Sequence, residues 1–232
     1  MVFESSQAGK YGGCFSGDST VLTSTGQRRK LSEVQVGERI LAEDPSTKEM
    51  VFSEVLLFLH YDPYQKREFL QITLSKGQVL TVTPNHLVVS GKLTDSRTVY
   101  AKKLKIGDTL RVSDSNNRLK EDEIVQVKPV LRTGVFAPLT TVGTLVVNDV
   151  LASCYATVDD QSLAHWAFSP IRLAFNVRES FYRLWTIISK PMVGWSDVSA
   201  KAAPAKPQVG VFWYAKVLYA TADYLLPSHL HE

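Results

Sequence analysis

From Cys14 to about Val158, apolar and polar residues alternate over short stretches, the period of strands buried on one side. Residues 51–59, 69–74, 78–83, 124–127 and 144–147 are rich in β-branched and aromatic side chains and are predicted as strands. Turn signals separate them: Asp44-Pro45, Lys76-Gly77, Ser90-Gly91, Asn116-Asn117 and Val142-Gly143. Many short strands with frequent turns predict an all-β domain. Beyond residue 160 the period lengthens. Ser169-Pro170 offers an N-cap with proline at the first helical position, and Leu173, Val177, Phe181, Leu184 and Ile188 then fall on one helical face. Pro191 stops that run. A stretch from Ala200 to Pro207, rich in Ala, Lys and Pro, predicts a linker near 196–207. A second amphipathic helix is predicted with Val211, Tyr214, Leu218, Ala222 and Leu225 on one face, ended by Pro227.

The β region contains an internal similarity. Lys30-Leu31-Ser32-Glu33-Val34-Gln35-Val36-Gly37-Glu38-Arg39-Ile40-Leu41 matches Ala101-Lys102-Lys103-Leu104-Lys105-Ile106-Gly107-Asp108-Thr109-Leu110. Each copy has a leucine, then an aliphatic–Gly–acid turn, then a strand. Two copies 70 positions apart are too few and too distant for a solenoid. They predict a duplicated β subdomain with pseudo-twofold symmetry.

Composition narrows the classes. The chain has 232 residues, 44% of them hydrophobic and 21% charged, as in an ordinary globular protein. A net charge of +3 gives no case for nucleic acid, and the small clusters Arg28-Arg29-Lys30 and Lys102-Lys103 read as solvated faces. No uncharged apolar run reaches about 18 residues, so a membrane span is not expected, and residues 1–6 lack the pattern of a signal peptide. Two cysteines, Cys14 and Cys154, are too few for a disulfide scaffold; they form one bridge or serve as separate thiols. No metal or cofactor is expected.

Three short motifs can carry chemistry. In Gly13-Cys14-Phe15, a sulfur follows two glycines whose backbone freedom helps a side chain attack the carbonyl just before it. Free cysteine is only a few per cent ionised at neutral pH, so such a nucleophile needs a base or a polarised target. A small buried hydrophobe after a glycine turn is the plainer reading of Cys14. Thr83-Pro84-Asn85-His86 closes a strand, placing His86 where an imidazole can protonate a leaving amide nitrogen while Thr83 holds its ring. A turn histidine with a satisfied ring is the ordinary alternative. Ala152-Ser153-Cys154-Tyr155 supplies a second thiol, for the core or for exchange with the first.

Taken together, these motifs resemble the C-terminal autoprocessing domain of hedgehog proteins: Gly-Cys-Phe, then Leu-Thr-Val-Thr-Pro-Asn-His (Leu80 to His86), then Leu-Ala-Ser-Cys-Tyr (Leu151 to Tyr155). Val36-Gly37-Glu38-Arg39-Ile40-Leu41, Ala137-Pro138-Leu139-Thr140 and Gln161-Ser162-Leu163-Ala164-His165-Trp166-Ala167 extend the likeness, which covers residues 11–175 well and the rest loosely. The resemblance implies an all-β Hint (hedgehog/intein) fold over residues 14–158, with a stub of an upstream signalling domain in 1–13. A mainly helical sterol-recognition region is implied for 159–232.

It also implies a reaction in two steps. Cys14 attacks the Gly13 carbonyl to form a thioester, and the 3β-hydroxyl of cholesterol then releases the upstream protein as a sterol ester. Thr83 and His86 match residues that assist the first step, and Cys154 matches a late cysteine that pairs or exchanges with the nucleophile. Partners are then cholesterol, a membrane surface and the chain's own upstream domain, in the endoplasmic reticulum and secretory pathway. The residues from Pro227 to Glu232 hold neither the asparagine nor the nucleophile that splicing needs, so cleavage and transfer are expected without splicing.

One position departs from the family pattern. Where hedgehog domains carry an aspartate that deprotonates the sterol, this chain has His60. A neutral imidazole can accept the same proton, so His60 is the expected base of the second step. Asp62 would share its face only if the strand continued, and Pro63 argues for a break there. In the tail, Phe181, Trp185, Trp213 and Tyr214, accompanied by basic residues, are expected at the sterol or the membrane, as in an interfacial helix. Rival readings are a self-cleaving domain that uses water or another nucleophile, and an inactive lipid-binding β module.

Overall fold

The fold was analysed in a computed structural model that describes residues 13–92, 95–155 and 209–213. Both amphipathic helices and the linker predicted beyond residue 158 lie outside these residues, apart from the start of the second helix. Within them the chain is all-β. The first copy contains β1 (Phe15–Ser16), β2 (Thr20–Leu22), β3 (Arg28–Lys30), β4 (Arg39–Glu43) and β5 (Met50–Leu74). The second contains β6 (Val79–Val82), β7 (Leu87–Lys92), β8 (Asp95–Tyr100), β9 (Thr109–Ser113) and β10 (Leu119–Thr140). A hairpin of β11 (Thr144–Val147) and β12 (Val150–Ser153) follows, and β13 (Gly210–Val211) comes from the tail.

The two copies repeat at the level of single hydrogen bonds. A 3₁₀ turn, Leu31–Glu33 in one and Ala101–Lys103 in the other, is flanked by residues with matching backbone angles: φ −67°, ψ 145° at Lys30 and φ −66°, ψ 138° at Tyr100. Gly37 and Gly107 then adopt φ of 90° and 93°, the left-handed region in which a side chain is strained. The following acid caps its own turn each time: Glu38 accepts from Gln35 N at 2.9 Å, and Asp108 from Lys105 N at 2.8 Å. Each turn is finally tied to a long strand, Gly37 N donating to Val55 O and Gly107 N to Ile124 O. The duplication read from the sequence is thus a structural pseudo-twofold.

The long strands β5 and β10 form the spine. They pair antiparallel from Ile124↔Leu74 to Thr140↔Val55, with register shifts along the way. Contrary to expectation, β5 runs straight through Pro63. Proline lacks an N–H and would cost a ladder bond in a regular strand. Here the pairing steps from Val135↔Asp62 to Thr133↔Lys66 across a bulge, so no ladder bond is asked of Pro63. The Asp62 carboxylate takes up the neighbouring donors, Tyr64 N at 2.9 Å and Gln65 N at 3.0 Å.

Because β5 is so long, it flanks the short first strand from both sides. Phe15 of β1 pairs with Phe136 of β10, which pairs with Tyr61 in the first half of β5. On its other side Phe15 pairs with Val82 of β6, which pairs with Leu70 in the second half of β5. β1 is therefore enclosed, and Phe15, Phe69, Phe136, Ile72 and Leu80 form the core around it, all buried. Cys14, one residue before β1, lies at the end of this enclosure.

The tail departs from the sequence reading at its one described segment. Val211, expected on a helical face, lies in β13, which pairs antiparallel with β5 at Gly210↔Tyr61 and Val211↔His60. Phe212 N then donates to Leu59 O at 2.8 Å, and helical backbone begins at Trp213. Periodicity within the tail could not reveal a partner strand some 150 positions upstream.

Candidate active site

Cys14 and Thr83 hold each other through a reciprocal pair of hydrogen bonds. Cys14 N donates to Thr83 Oγ1 at 2.9 Å, and Thr83 N donates to Cys14 O at 2.9 Å. The nitrogen of the Gly13–Cys14 peptide is thus anchored to a buried hydroxyl. The fit follows from the sheet: β1 and β6 pair at Phe15↔Val82, so one step further along brings Cys14 beside Thr83. Pro84 then ends β6, and His86 N turns back to Thr83 O at 3.0 Å.

The His86 ring is fully buried, with Phe15 edge-on to it at a centroid distance of 4.3 Å. Its orienting hydrogen bond goes to the end of β12, where Nε2 lies 3.0 Å from Ser153 O. A carbonyl only accepts, so Nε2 carries the hydrogen and Nδ1 of the neutral ring carries the lone pair. Nδ1 is shielded from solvent and has no hydrogen-bond partner among the described residues. Burial pulls the His86 pKa down to about 4, opposed in part by the backbone groups of Ser153 and Gly13. At neutral pH the ring is therefore an uncharged proton acceptor beside the Gly13 backbone.

On the opposite side, His60 Nδ1 lies 3.7 Å from Cys14 Sγ, within reach of the thiol hydrogen. His60 is buried and sits in β5 between Ala137 of β10 and Val211 of β13. Asp62 spends its carboxylate on its own bulge instead. Burial pushes the Cys14 thiol up to about 12, and the Arg67 guanidinium works against that rise. Cys14 is thus a protonated, solvent-shielded thiol with the His60 imidazole beside it.

Cys154 and Cys14 are both buried, and the two thiols form no disulfide with each other. Cys154 Sγ lies 3.5 Å from Thr140 Oγ1, one residue after the carbonyl that holds His86. Of the tail aromatics, Trp213 is described and largely exposed at 64%, while Phe181, Trp185 and Tyr214 lie outside the described residues. Sequence reading missed Arg67. Its signal was the inward alternation of Gln65, Arg67 and Phe69 against exposed Tyr64, Lys66 and Glu68.

A buried thiol at a glycine junction, enclosed by a duplicated β fold, can be compared with known families. The family model of the Hint module matches residues 3–227. The chain belongs to the Hint module family. Among curated proteins, it is 37% identical over 219 residues to protein hedgehog of Drosophila virilis, covering 93% of this chain and 44% of that protein. To protein hedgehog of Drosophila melanogaster it is 38% identical over 222 residues, covering 93% and 45%. The Hint module thus spans less than half the length of these relatives. In fold it is similar to an Ssp DnaB mini-intein variant (TM-score 0.54, 17% identity, 65% of this chain and 98% of that one). A DnaB intein from Synechocystis is also similar (TM-score 0.52, 18% identity, 63% and 99%). Family and relatives together mark this Hint module as an autoprocessing domain of the hedgehog type.

Proposed function

We propose that the module is a cysteine-dependent acyl transferase acting on its own chain, with cholesterol as acceptor. The observation that carries this reading is the clamp on one peptide nitrogen: Cys14 N is fixed to Thr83 Oγ1 while the His86 ring, with a free lone pair, lies against the Gly13 backbone. In the first step the thiol proton passes to the His86 lone pair, directly or by way of His60 Nδ1 at 3.7 Å from the sulfur. One proton thus travels from sulfur to the departing nitrogen, and His60 ends the step unprotonated. The C–S bond forms at the Gly13 carbonyl, and the C–N bond breaks as a proton reaches the Cys14 nitrogen. A protonated His86 is a strong acid at its lowered pKa, so once it has accepted a proton it gives it up readily to the departing amine.

In the second step the acceptor hydroxyl attacks the thioester carbonyl. Its proton goes to His60, the Cys14 thiolate leaves, and the upstream polypeptide departs as an ester at Gly13. His60 fits that role because it is buried, lies beside the sulfur, and is held in register by strands on both sides. The tail strand next to it, with exposed Trp213 beyond, supports an apolar acceptor arriving from that side. We place the reaction at a membrane surface of the secretory pathway, by analogy with hedgehog proteins.

A reporter fused before Gly13 tests the reading. Scission after Gly13 should be induced by hydroxylamine or a thiol alone, and cholesterol should yield a fragment heavier by one esterified sterol. A fragment of hydrolysed mass in the presence of sterol would instead support water as acceptor. Undiminished scission in Cys14→Ala would end the proposal.

A further inference from the structure

The second half of β5 arches over the end of β1, and its side chains alternate sharply. Tyr64, Lys66 and Glu68 are exposed, whereas Gln65 and Arg67 are half-buried and Phe69 is fully buried. Arg67 thus projects on the inward face, two residues before a core phenylalanine. The strand registers place that face near the nucleophile: Leu70 pairs with Val82, and Val82 with Phe15. One step along brings Phe69 into the row of Thr83 and Cys14, and Arg67 lies just beyond it. One of the two terminal guanidinium nitrogens, Nη1, is wholly shielded from solvent. Long cationic side chains normally carry their heads out to water, whereas this one is turned toward the interior, where its charge acts more strongly.

We propose that Arg67 is the electrostatic partner of the Cys14 sulfur, stabilising the thiolate as it forms in the first step and as it leaves in the second. The inference rests on Cys14 being the nucleophile. Around the sulfur the titratable side chains are few. β5 contributes His60 and Arg67, the turn after β6 contributes His86, and the end of β12 contributes Cys154. Directly opposite Arg67 on β10 stands a second cation, Arg132, ion-paired with Asp18 at 3.8 Å. The stretch of β10 nearer the sulfur, from Val135 to Leu139, has no titratable side chain, nor has β13. Both imidazoles serve as proton carriers in the proposed steps, so neither keeps one charge throughout. Arg67 does, and Arg132 opposite it is already paired with Asp18, so Arg67 supplies the standing positive field at the sulfur. A fixed charge in a poorly solvated site acts more strongly on a developing anion than it would in water. The same Arg67 is the group that opposes the effect of burial on the thiol.

The test is the pH profile of hydroxylamine-induced scission after Gly13 in the full chain with its upstream reporter. Arg67→Gln, and Arg67→Met as a second neutral variant should the first fail to unfold cooperatively, should lower the rate about tenfold at every pH between about 6 and 9. With the thiol at about 12, a rise of about one unit cuts the thiolate fraction tenfold throughout that range. Arg67→Lys, which keeps the charge, should recover at least about threefold of that loss. An unchanged rate, a loss confined to one end of the pH range, or no recovery with lysine would overturn the proposal. Cys14→Ala, run alongside, separates the two ideas: persistent scission there defeats the nucleophile reading itself. Scission that stops in Cys14→Ala but is indifferent to Arg67 defeats only the assignment of Arg67.

Discussion

Acidification should weaken the fold through one side chain. His86 is fully buried and its pKa is lowered from 6.5 to about 4, so the unfolded chain takes up a proton below pH 6.5 that the folded chain refuses until about pH 4. Where the unfolded state binds more protons, stability rises with pH; the contribution is therefore complete above pH 6.5 and is lost as pH falls toward 4. Two and a half units at 1.36 kcal/mol each set the scale, and between pH 7 and pH 4 the loss comes to about 3 kcal/mol, with about 2 kcal/mol gone by pH 5. Asp114, also lowered, to about 2, acts in a more acidic window and does not overlap. The assay is urea unfolding across pH 4–7.5 in a Cys14→Ala background, which keeps scission out of the signal. His86→Gln should remove the slope, because glutamine can still donate to Ser153 O but takes up no proton. Parallel pH profiles for the two proteins would refute both the burial argument and the tautomer assigned to the ring.

Three further outcomes follow from the packing. Thr83→Val keeps the shape but leaves Cys14 N without its acceptor, so it should cost about 1–3 kcal/mol in urea unfolding and slow hydroxylamine-induced scission. Arg111 and Glu43 form a buried pair, with Arg111 Nη1 3.2 Å from both carboxylate oxygens. Either single apolar substitution should cost about 3–5 kcal/mol, and Arg111→Met with Glu43→Leu should cost less than the sum, as a double-mutant cycle in denaturant would show. A Cβ at Gly17 would lie 2.6 Å from the Phe136 ring, so Gly17→Ala should lower stability by about 1–3 kcal/mol, measured as a fall in thermal midpoint.

Much of the architecture was legible because its signals are local. The aliphatic–Gly–acid turn needs a left-handed glycine and a short acid at fixed offsets, so both copies wrote the same few residues. The strands were legible as alternation, but not their length, since a proline that breaks a regular ladder is harmless inside a bulge of its own strand, and only the pairing with β10 reveals that bulge. Cys14, Thr83 and His86 were found through a family pattern, and the contact of His60 with the sulfur came from geometry alone. Arg67 and β13 escaped because each takes its meaning from a distant strand. A basic residue two positions from Phe69, or a valine after a glycine, looks ordinary until its neighbour is known.

The duplication divides the groups of the proposed reaction between its halves. Cys14 and His60 belong to the first copy, Thr83 and His86 to the second, and the carbonyl that steadies His86 comes from the hairpin after both. A nascent polypeptide therefore leaves the ribosome with its sulfur and one imidazole already made but Thr83 and His86 still to come. Under the proposed mechanism, assembly of the whole module is the safety catch: scission at the junction waits for the completion of folding.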